Sequence, residues 1–251
     1  MQPIELLENE QIDDLQIMGL KIIQKKDGFK FGTDAVLLSD FAKSITSKNT
    51  LDLCTGTGII PFLLYGKTKT RCFSAIEIQE QMAKMAQKSV KLNGLEDKIS
   101  IICEDLKNAV KIFGKRKFDL ITCNPPYIRS GVKNETDAKT ISRHEVMCTL
   151  EDIIKVSSDL MTQTGRLAMV HRPSRIAELL YLMKKYKIEP KRIRFVHKTE
   201  KEPPVLVLVE GMYGAKSDVN VMKPLIMYDN EMNETEEMKE IYGFLQKYKG
   251  E

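Results

Sequence analysis

The chain has 251 residues, 42% hydrophobic and 29% charged, with a formal net charge of +4 at pH 7. That length can bury one α/β core with small appendages, and no apolar run reaches the roughly eighteen residues a membrane span needs. The charge is too small to demand a nucleic-acid partner, though it permits one. The polar, acidic start MQPIELLENEQIDDLQ resembles neither a secretory signal nor a transit peptide. Cys54, Cys72, Cys103, Cys123 and Cys148 form no CxxC pair and sit mostly in apolar runs. They are expected to be reduced and buried, in a cytoplasmic protein without a structural metal.

In chain order, LQIMGLKIIQ (15–24) predicts a small hairpin about Gly19. FKFGTDAVLLSDF (29–41) reads as a helix entry that Thr33 or Asp34 can cap, with Ala35, Val36, Leu38 and Phe41 facing inward. From residue 50 an alternation begins: strand TLDLC, a glycine turn, helix IIPFLLYGK, strand FSAIEI, and helix QEQMAKMAQKSVKLNG ended by Asn93-Gly94. ISIICED (99–105), a helix to about Phe113 and strand FDLITCN (118–124) follow. After a long polar loop come a helix near 149–161, strand GRLAMVH (165–171) and a helix from about Pro173 to Tyr186. RIRFVH (192–197) and VLVLVEGM (205–212) are joined by a connection short enough for an antiparallel pair. The alternation predicts a doubly wound, mostly parallel sheet. Near the end, EEMKEIYGFLQKY is an amphipathic helix that either docks or frays.

Leu51 to Gly58, LDLCTGTG, puts Gly56 and Gly58 directly after the first strand of the alternation. There an open α/β sheet binds nucleotide-like ligands, and a missing Cβ lets backbone approach the ligand. Glu77 ends the next strand, where a carboxylate can accept from both hydroxyls of a ribose. Asp105 ends the third, where one can accept from an adenine amino group. Pro61 stands in place of the third glycine of a dinucleotide fingerprint, and no Arg or Lys is at hand for a pyrophosphate. Asp52 adds negative charge that repels phosphate but suits the cationic end of a methionine moiety, so S-adenosylmethionine fits better than a dinucleotide.

FDLITCNPPY (118–127) runs from a buried strand into a proline-stiffened corner. The Asn124 side chain and the Pro125 backbone offer carbonyl acceptors, Pro126 brings no competing N–H, and Tyr127 adds an aromatic face. The set suits a planar group carrying an NH2. Taken alone, the stretch also fits an ordinary strand ending in a proline turn with Tyr127 in the core.

IRSGVKNETDAKTISRHEVMC (128–148) is too long and polar for a simple connection. Its Arg129, Lys133, Lys139, Arg143 and His144 are candidates to meet phosphates, although a solvated loop explains any one of them equally well. His171-Arg172-Pro173 follows a strand at the same sheet end, and residues 184–201 hold eight Lys or Arg against two Glu. A phosphate-binding rim built from this loop (Arg129, Lys133, Arg143, His144), Arg172 and part of the later basic cluster is expected. Three scattered histidines do not suggest that His144 binds metal.

These residues resemble the class I S-adenosylmethionine-dependent methyltransferases and, more narrowly, the bacterial tRNA1(Val) adenine-N6 methyltransferases. The likeness runs through IDDLQIMGLKIIQKKDGFKFGTDAVLLSDFA, LDLCTGTGIIP, IEIQEQMAKMAQKSVKLNGL, CNPPY, SRHEVMCTLEDIIK, LAMVHRPSRIAELL, EPKRIRFVH and LVEG. The glycine loop and NPPY specify amino methyltransferases, whereas FGTDAVLL, RHE and VHRPSR point to the narrower group.

The resemblance implies a Rossmann-like α/β fold: a seven-stranded, mostly parallel sheet with an antiparallel last strand and helices on both faces. It implies S-adenosylmethionine as cofactor, S-adenosylhomocysteine as product, and the N6 amine of the tRNA adenine next to the anticodon as target. Gly56 and Gly58 would line the methionine part, Glu77 the ribose and Asp105 the adenine, with Thr33 and Asp34 closing the pocket. Asn124, Pro125, Pro126 and Tyr127 would hold the target base, with Asn124 also bordering the cofactor. The organisation expected is an N-terminal hairpin and helix (1–48) packing on the cofactor site, the methyltransferase domain (49–213) and a C-terminal extension (214–251). The partners expected are a tRNA, no membrane and no metal, for a monomer or weak dimer.

The chain departs from the family pattern at Cys54, at Thr164-Gly165 in place of a double glycine, and in KTEKEPPVLV. Rival readings are a methyltransferase for a protein glutamine amide or an rRNA base, an inactive cofactor-binding assembly protein, and a nicotinamide-dependent oxidoreductase. Pro61 disfavours the last.

Overall fold

A computed structural model describes residues 4–26, 32–125 and 148–243. The chain opens on the hairpin: β1 (Glu10–Asp14) and β2 (Lys21–Lys25) pair antiparallel, with Gly19 at φ +67° in their connection. In α1 (Thr33–Ala42) the cap is Gly32, in extended conformation and without a side-chain bond. Thr33 and Asp34 therefore lie inside the first turn and do not cap it, which corrects the expectation by one residue.

The alternation follows as β3 (Asn49–Leu53), α2 (Ile59–Lys67), β4 (Cys72–Glu77), α3 (Glu80–Leu92) and β5 (Ile99–Cys103). A short 3-10 turn leads into α4 (Ala109–Phe113), then β6 (Phe118–Cys123), α5 (Leu150–Leu160) and β7 (Met161–His171). α6 (Ile176–Lys185), β8 (Ile188–His197), β9 (Pro204–Tyr213), β10 (Asn220–Val221), β11 (Leu225–Ile226) and α7 (Glu236–Gly243) complete the described chain.

Among the described residues the main sheet has nine strands, in the order β10-β8-β9-β7-β6-β3-β4-β5, with β11 also on β8. Strands β3 to β7 are parallel, and β9 is antiparallel to both β7 and β8. Seven long strands thus make the Rossmann-like sheet expected from the sequence, with the last of them reversed. The two-residue β10 and β11 extend the β8 edge and are too short to show any hydrophobic period.

Helices cover both faces. On one, Ile17 of the hairpin, Leu38 of α1, Phe62 of α2, Ala86 of α3 and Ile241 of α7 share a core with Phe73 and Leu208. On the other, Ile154 of α5 and Leu179 of α6 pack with Leu53, Ile121 and Val209. Coverage on both sides is why the central strands read as nearly continuous apolar runs. The hairpin is fastened to α3: Ile23 N donates to Ser89 Oγ at 2.8 Å, and Lys21 N donates to Asn93 Oδ1 at 2.9 Å.

Two departures from the family pattern have one physical cause. Cys54 and Thr164 sit at φ +57° and +70°, a region glycine enters freely and a β-branched residue enters under strain. Next to Thr164, Gly165 is confined by packing, because a Cβ there would lie 2.9 Å from the Phe118 carbonyl. The left-handed conformation costs roughly 1–2 kcal/mol, partly offset by the greater freedom of an unfolded glycine. Thr164→Gly is therefore expected to stabilise the fold by about 1 kcal/mol in urea denaturation, whereas a lowered midpoint would show that the strain is absent.

The cysteines correct the sequence reading in part. Cys123 is buried and Cys54 and Cys148 are half-buried, but Cys72 and Cys103 are exposed because they stand at the ends of β4 and β5. Among the described residues no helix is long and apolar enough to cross a membrane.

Candidate active site

Parallel register assembles the strand ends. Leu53 on β3 pairs with Cys123 on β6 and with Ile76 on β4, so Asn124, Cys54 and Glu77 come next along three adjacent strands. Glu77 pairs with Cys103 on β5, which puts Asp105 just past the neighbouring end. The structure thus brings Asn124 to one side of the glycine turn, and Glu77 and Asp105 to the other.

The turn itself holds Gly56 at φ +59° and Gly58 at +85°. A Cβ on Gly58 would come within 3.3 Å of Ala86 on α3, so packing as well as conformation calls for glycine there. Buried Glu77 fixes the turn: its Oε2 accepts from Gly56 N at 2.8 Å and its Oε1 from Gln79 N at 2.9 Å. Both oxygens keep a further lone pair for an outside donor. Asp105 accepts from Lys107 N at 2.9 Å and stands 3.3 Å from the Lys107 ammonium. Ile78, directly after Glu77, is 37% exposed at this end.

Asp52 lies within β3 and is 1% exposed. Thr122 Oγ1 donates to its Oδ1 at 2.6 Å, across the Asp52/Thr122 register pair. Burial pushes the Asp52 carboxyl up to about 7, against the lowering effect of that hydrogen bond. Thr55 Oγ1, buried beside it, also lowers the carboxyl through a looser contact, and neither it nor Asp52 Oδ2 makes a close hydrogen bond. Beside them the Cys54, Cys123 and Cys148 thiols are held neutral. Contact with Cys123 pushes Cys54 well up, burial raises Cys123, and contact with Cys54 raises Cys148. They act as small packing groups.

Asn124 is half-buried and Pro125 buried. The far end of α1 meets the first half of β8, where Arg192 donates to the Phe41 carbonyl at 3.0 Å and to Ser44 Oγ at 3.1 Å. Its first turn, with Thr33 and buried Asp34, therefore points to the site end of the sheet. Arg172 follows β7 there, donating from Nη1 to the Val205 carbonyl at 3.3 Å and from its backbone N to His171 Nδ1 at 2.8 Å. Burial holds His171 down at about 4, so the ring is neutral. Pro126, Tyr127, Arg129, Lys133, Lys139, Arg143, His144 and Phe29 lie outside the described residues.

Much of the 184–201 basic run is spent on ion pairs: Lys184 with Glu189, Lys185 with Glu151, Arg192 with Glu210 and Arg194 with Glu237. Lys198 and Lys201, between β8 and β9, stand at the site end. Thr55, Thr122 and Ile78 are site neighbours that the sequence reading missed. The only local signal for Thr122 was a polar residue in an apolar strand. A cleft of ≈ 400 Å³ among Ser44, Thr46, Thr164, Arg166 and Arg192 opens at the opposite end of the sheet. Its two arginines share the buried Glu210, and none of the strand-end groups reaches it.

The chain matches the family model described as methyltransferase small domain over residues 15–188. It is similar to a protein of Porphyromonas gingivalis named tRNA1(Val) (adenine(37)-N6)-methyltransferase, 30% identical over 188 residues that cover 72% of this chain and 73% of the relative. A protein of the same name from Parabacteroides distasonis is 28% identical over 185 residues, covering 74% and 77%. Among solved structures, a predicted O-methyltransferase from Agrobacterium tumefaciens superposes with a TM-score of 0.69 at 21% identity, over 85% of this chain and 97% of that one. A 16S rRNA N2 methyltransferase from T. thermophilus, solved with AdoMet and guanosine, gives 0.57 at 15% identity, over 83% and 52%. These two likenesses concern the fold. With the family model spanning β2, α1, the glycine turn and the strand-end acids Glu77 and Asp105, the chain belongs to the methyltransferase small-domain family and is a class I methyltransferase that uses S-adenosylmethionine.

Proposed function

We propose that this enzyme methylates the exocyclic N6 amine of an adenine in tRNA, the adenine next to the anticodon of a valine tRNA. The observation that carries the reading is the placement of Asn124 and Pro125 directly beside the glycine turn. The names of the P. gingivalis and P. distasonis relatives support the tRNA adenine as target. S-adenosylmethionine, when bound, supplies an electrophilic methyl group on a sulfonium. The protein's part is to hold both reactants in line.

Glu77 would take the ribose hydroxyls, Asp105 the adenine amino group with Ile78 against the ring, and Asp52, through water, the cationic end of the methionine moiety. Gly56 and Gly58 let the backbone come close, and Thr33 and Asp34 close the pocket from α1. An adenine amine is a poor nucleophile because its lone pair is delocalised into the ring. With Asn124 Oδ1 and the Pro125 carbonyl each accepting one N–H, the nitrogen is drawn toward a tetrahedral shape and its lone pair is freed. The same acceptors stabilise the positive charge that develops on nitrogen, and positioning supplies much of the acceleration. The surplus proton leaves to water. Pro126 stiffens the corner, and Tyr127 stacks on the base once it is turned out of the loop. Arg172, Lys198 and Lys201, together with Arg129, Lys133, Arg143 and His144, meet the phosphates.

The test is incubation of unmodified bulk tRNA with labelled methyl donor, followed by digestion to nucleosides. N6-methyladenosine is the expected product, formed with an affinity that falls steeply as salt rises, because phosphate neutralisation releases counterions. Label in another nucleoside, or only in protein, would overturn the reading.

A further inference from the structure

The described part of the C-terminal extension runs along the site end of the sheet. β11 pairs with Val196 and His197 at the end of β8, and Tyr228 N donates to the Lys198 carbonyl at 2.9 Å. Thr235 then turns the chain into α7: its hydroxyl donates to the Ile226 carbonyl at 2.7 Å and accepts from Met238 N at 3.3 Å. Glu237 pairs with Arg194 of β8 at 2.7 Å. Met238 and Ile241, 1% and 4% exposed, enter the core shared with α1. One turn on, the Tyr242 hydroxyl shares a hydrogen bond of 3.1 Å with Thr33 Oγ1, across 209 residues of sequence.

Thr33 is the first residue of α1, and Gly32 before it provides no capping side chain. The first turn therefore gains from outside its own helix a tether that its cap does not supply. Burial raises the Tyr242 phenol above its ordinary value, so it keeps its proton at neutral pH. The apolar anchors Met238 and Ile241 already hold α7 in place, which leaves the hydroxyl free to act on orientation more than on stability.

We propose that Tyr242 is a positioning residue for methyl transfer, holding Thr33 and the first turn of α1 at the cofactor pocket. On this view α7 is a strap between the RNA-side end of β8 and the cofactor side of α1. The inference rests on the reading that Thr33 closes that pocket. Four variants of the full chain test it by calorimetric titration with S-adenosylmethionine and by thermal unfolding: Tyr242→Phe, Thr33→Val, Thr33→Ser, and the double Tyr242→Phe/Thr33→Val.

Tyr242→Phe and Thr33→Val are each expected to weaken binding about 3- to 10-fold, the loss of one hydrogen bond. The double variant should lose no more than the weaker single one, and Thr33→Ser should bind as the parent does. Midpoints of unfolding should not move. If Thr33→Val loses affinity and Tyr242→Phe does not, the strap is overturned while Thr33 keeps its place at the pocket. If neither loses affinity, the placement of Thr33 is overturned as well. Additive losses in the double variant would also overturn the strap, since the two hydroxyls would then act independently.

Discussion

Asn124→Ala is expected to slow methyl transfer by roughly 100- to 1,000-fold, the effect of removing one preorganised group that stabilises developing charge. Asn124 stands one residue beyond Cys123, in the same row as Cys54 and Glu77. Its side chain is one of the two acceptors proposed for the target amine, and the Pro125 carbonyl survives the substitution, so the loss stops short of complete. Cofactor affinity should be nearly unaffected, because Glu77, Asp105 and the glycine turn are untouched. Single-turnover methylation at saturating cofactor, beside a binding titration, separates the two effects. An unchanged rate would remove the catalytic role, and a parallel collapse of cofactor binding would show that Asn124 acts on the wrong reactant.

Glu77→Ala is expected to act on the other quantity and to weaken S-adenosylmethionine binding by about 100-fold or more. Hydrogen bonds to a charged acceptor are each worth roughly 1.5–3 kcal/mol, and in the proposed function the carboxylate accepts from two ribose hydroxyls. The substitution also strips Gly56 N and Gln79 N of their acceptor, so the turn loosens as the ribose contact goes. Glu77→Gln keeps the shape and one acceptor oxygen and should fall between the two. Calorimetric binding, with thermal unfolding as a control for the fold, checks this. A dissociation constant within about threefold of the parent's would contradict the assignment.

The parts legible in the sequence were those written locally. Between residues 50 and 123 each strand is bounded by its own turn, and the register of a parallel sheet then forces Asn124, Glu77 and Asp105 to one end. The reversal of β9 was readable from the few residues that separate it from β8. What stayed hidden depends on chain segments far apart. Thr122 meets Asp52 across 70 residues, Arg192 and Arg194 find Glu210 and Glu237 on other elements, and Tyr242 meets Thr33 only after the tail has passed along the β8 edge. Part of the basic run at 184–201 was expected to join an RNA-binding rim because its acidic partners were invisible in the local pattern. The cap of α1 was misplaced because Thr33 and Asp34 carry the usual capping chemistry, whereas Gly32 takes the cap position by conformation alone.

The central claim is that the glycine turn, Glu77, Asp105 and Asn124 form one site, and the structure of the complex with S-adenosylhomocysteine tests it most directly. The ribose diol should rest on Glu77, the adenine amino group on Asp105, and the sulfur should face Asn124 across the turn. A ligand seated in the Arg166–Arg192 cleft, or bound with its sulfur directed away from Asn124, would contradict the account.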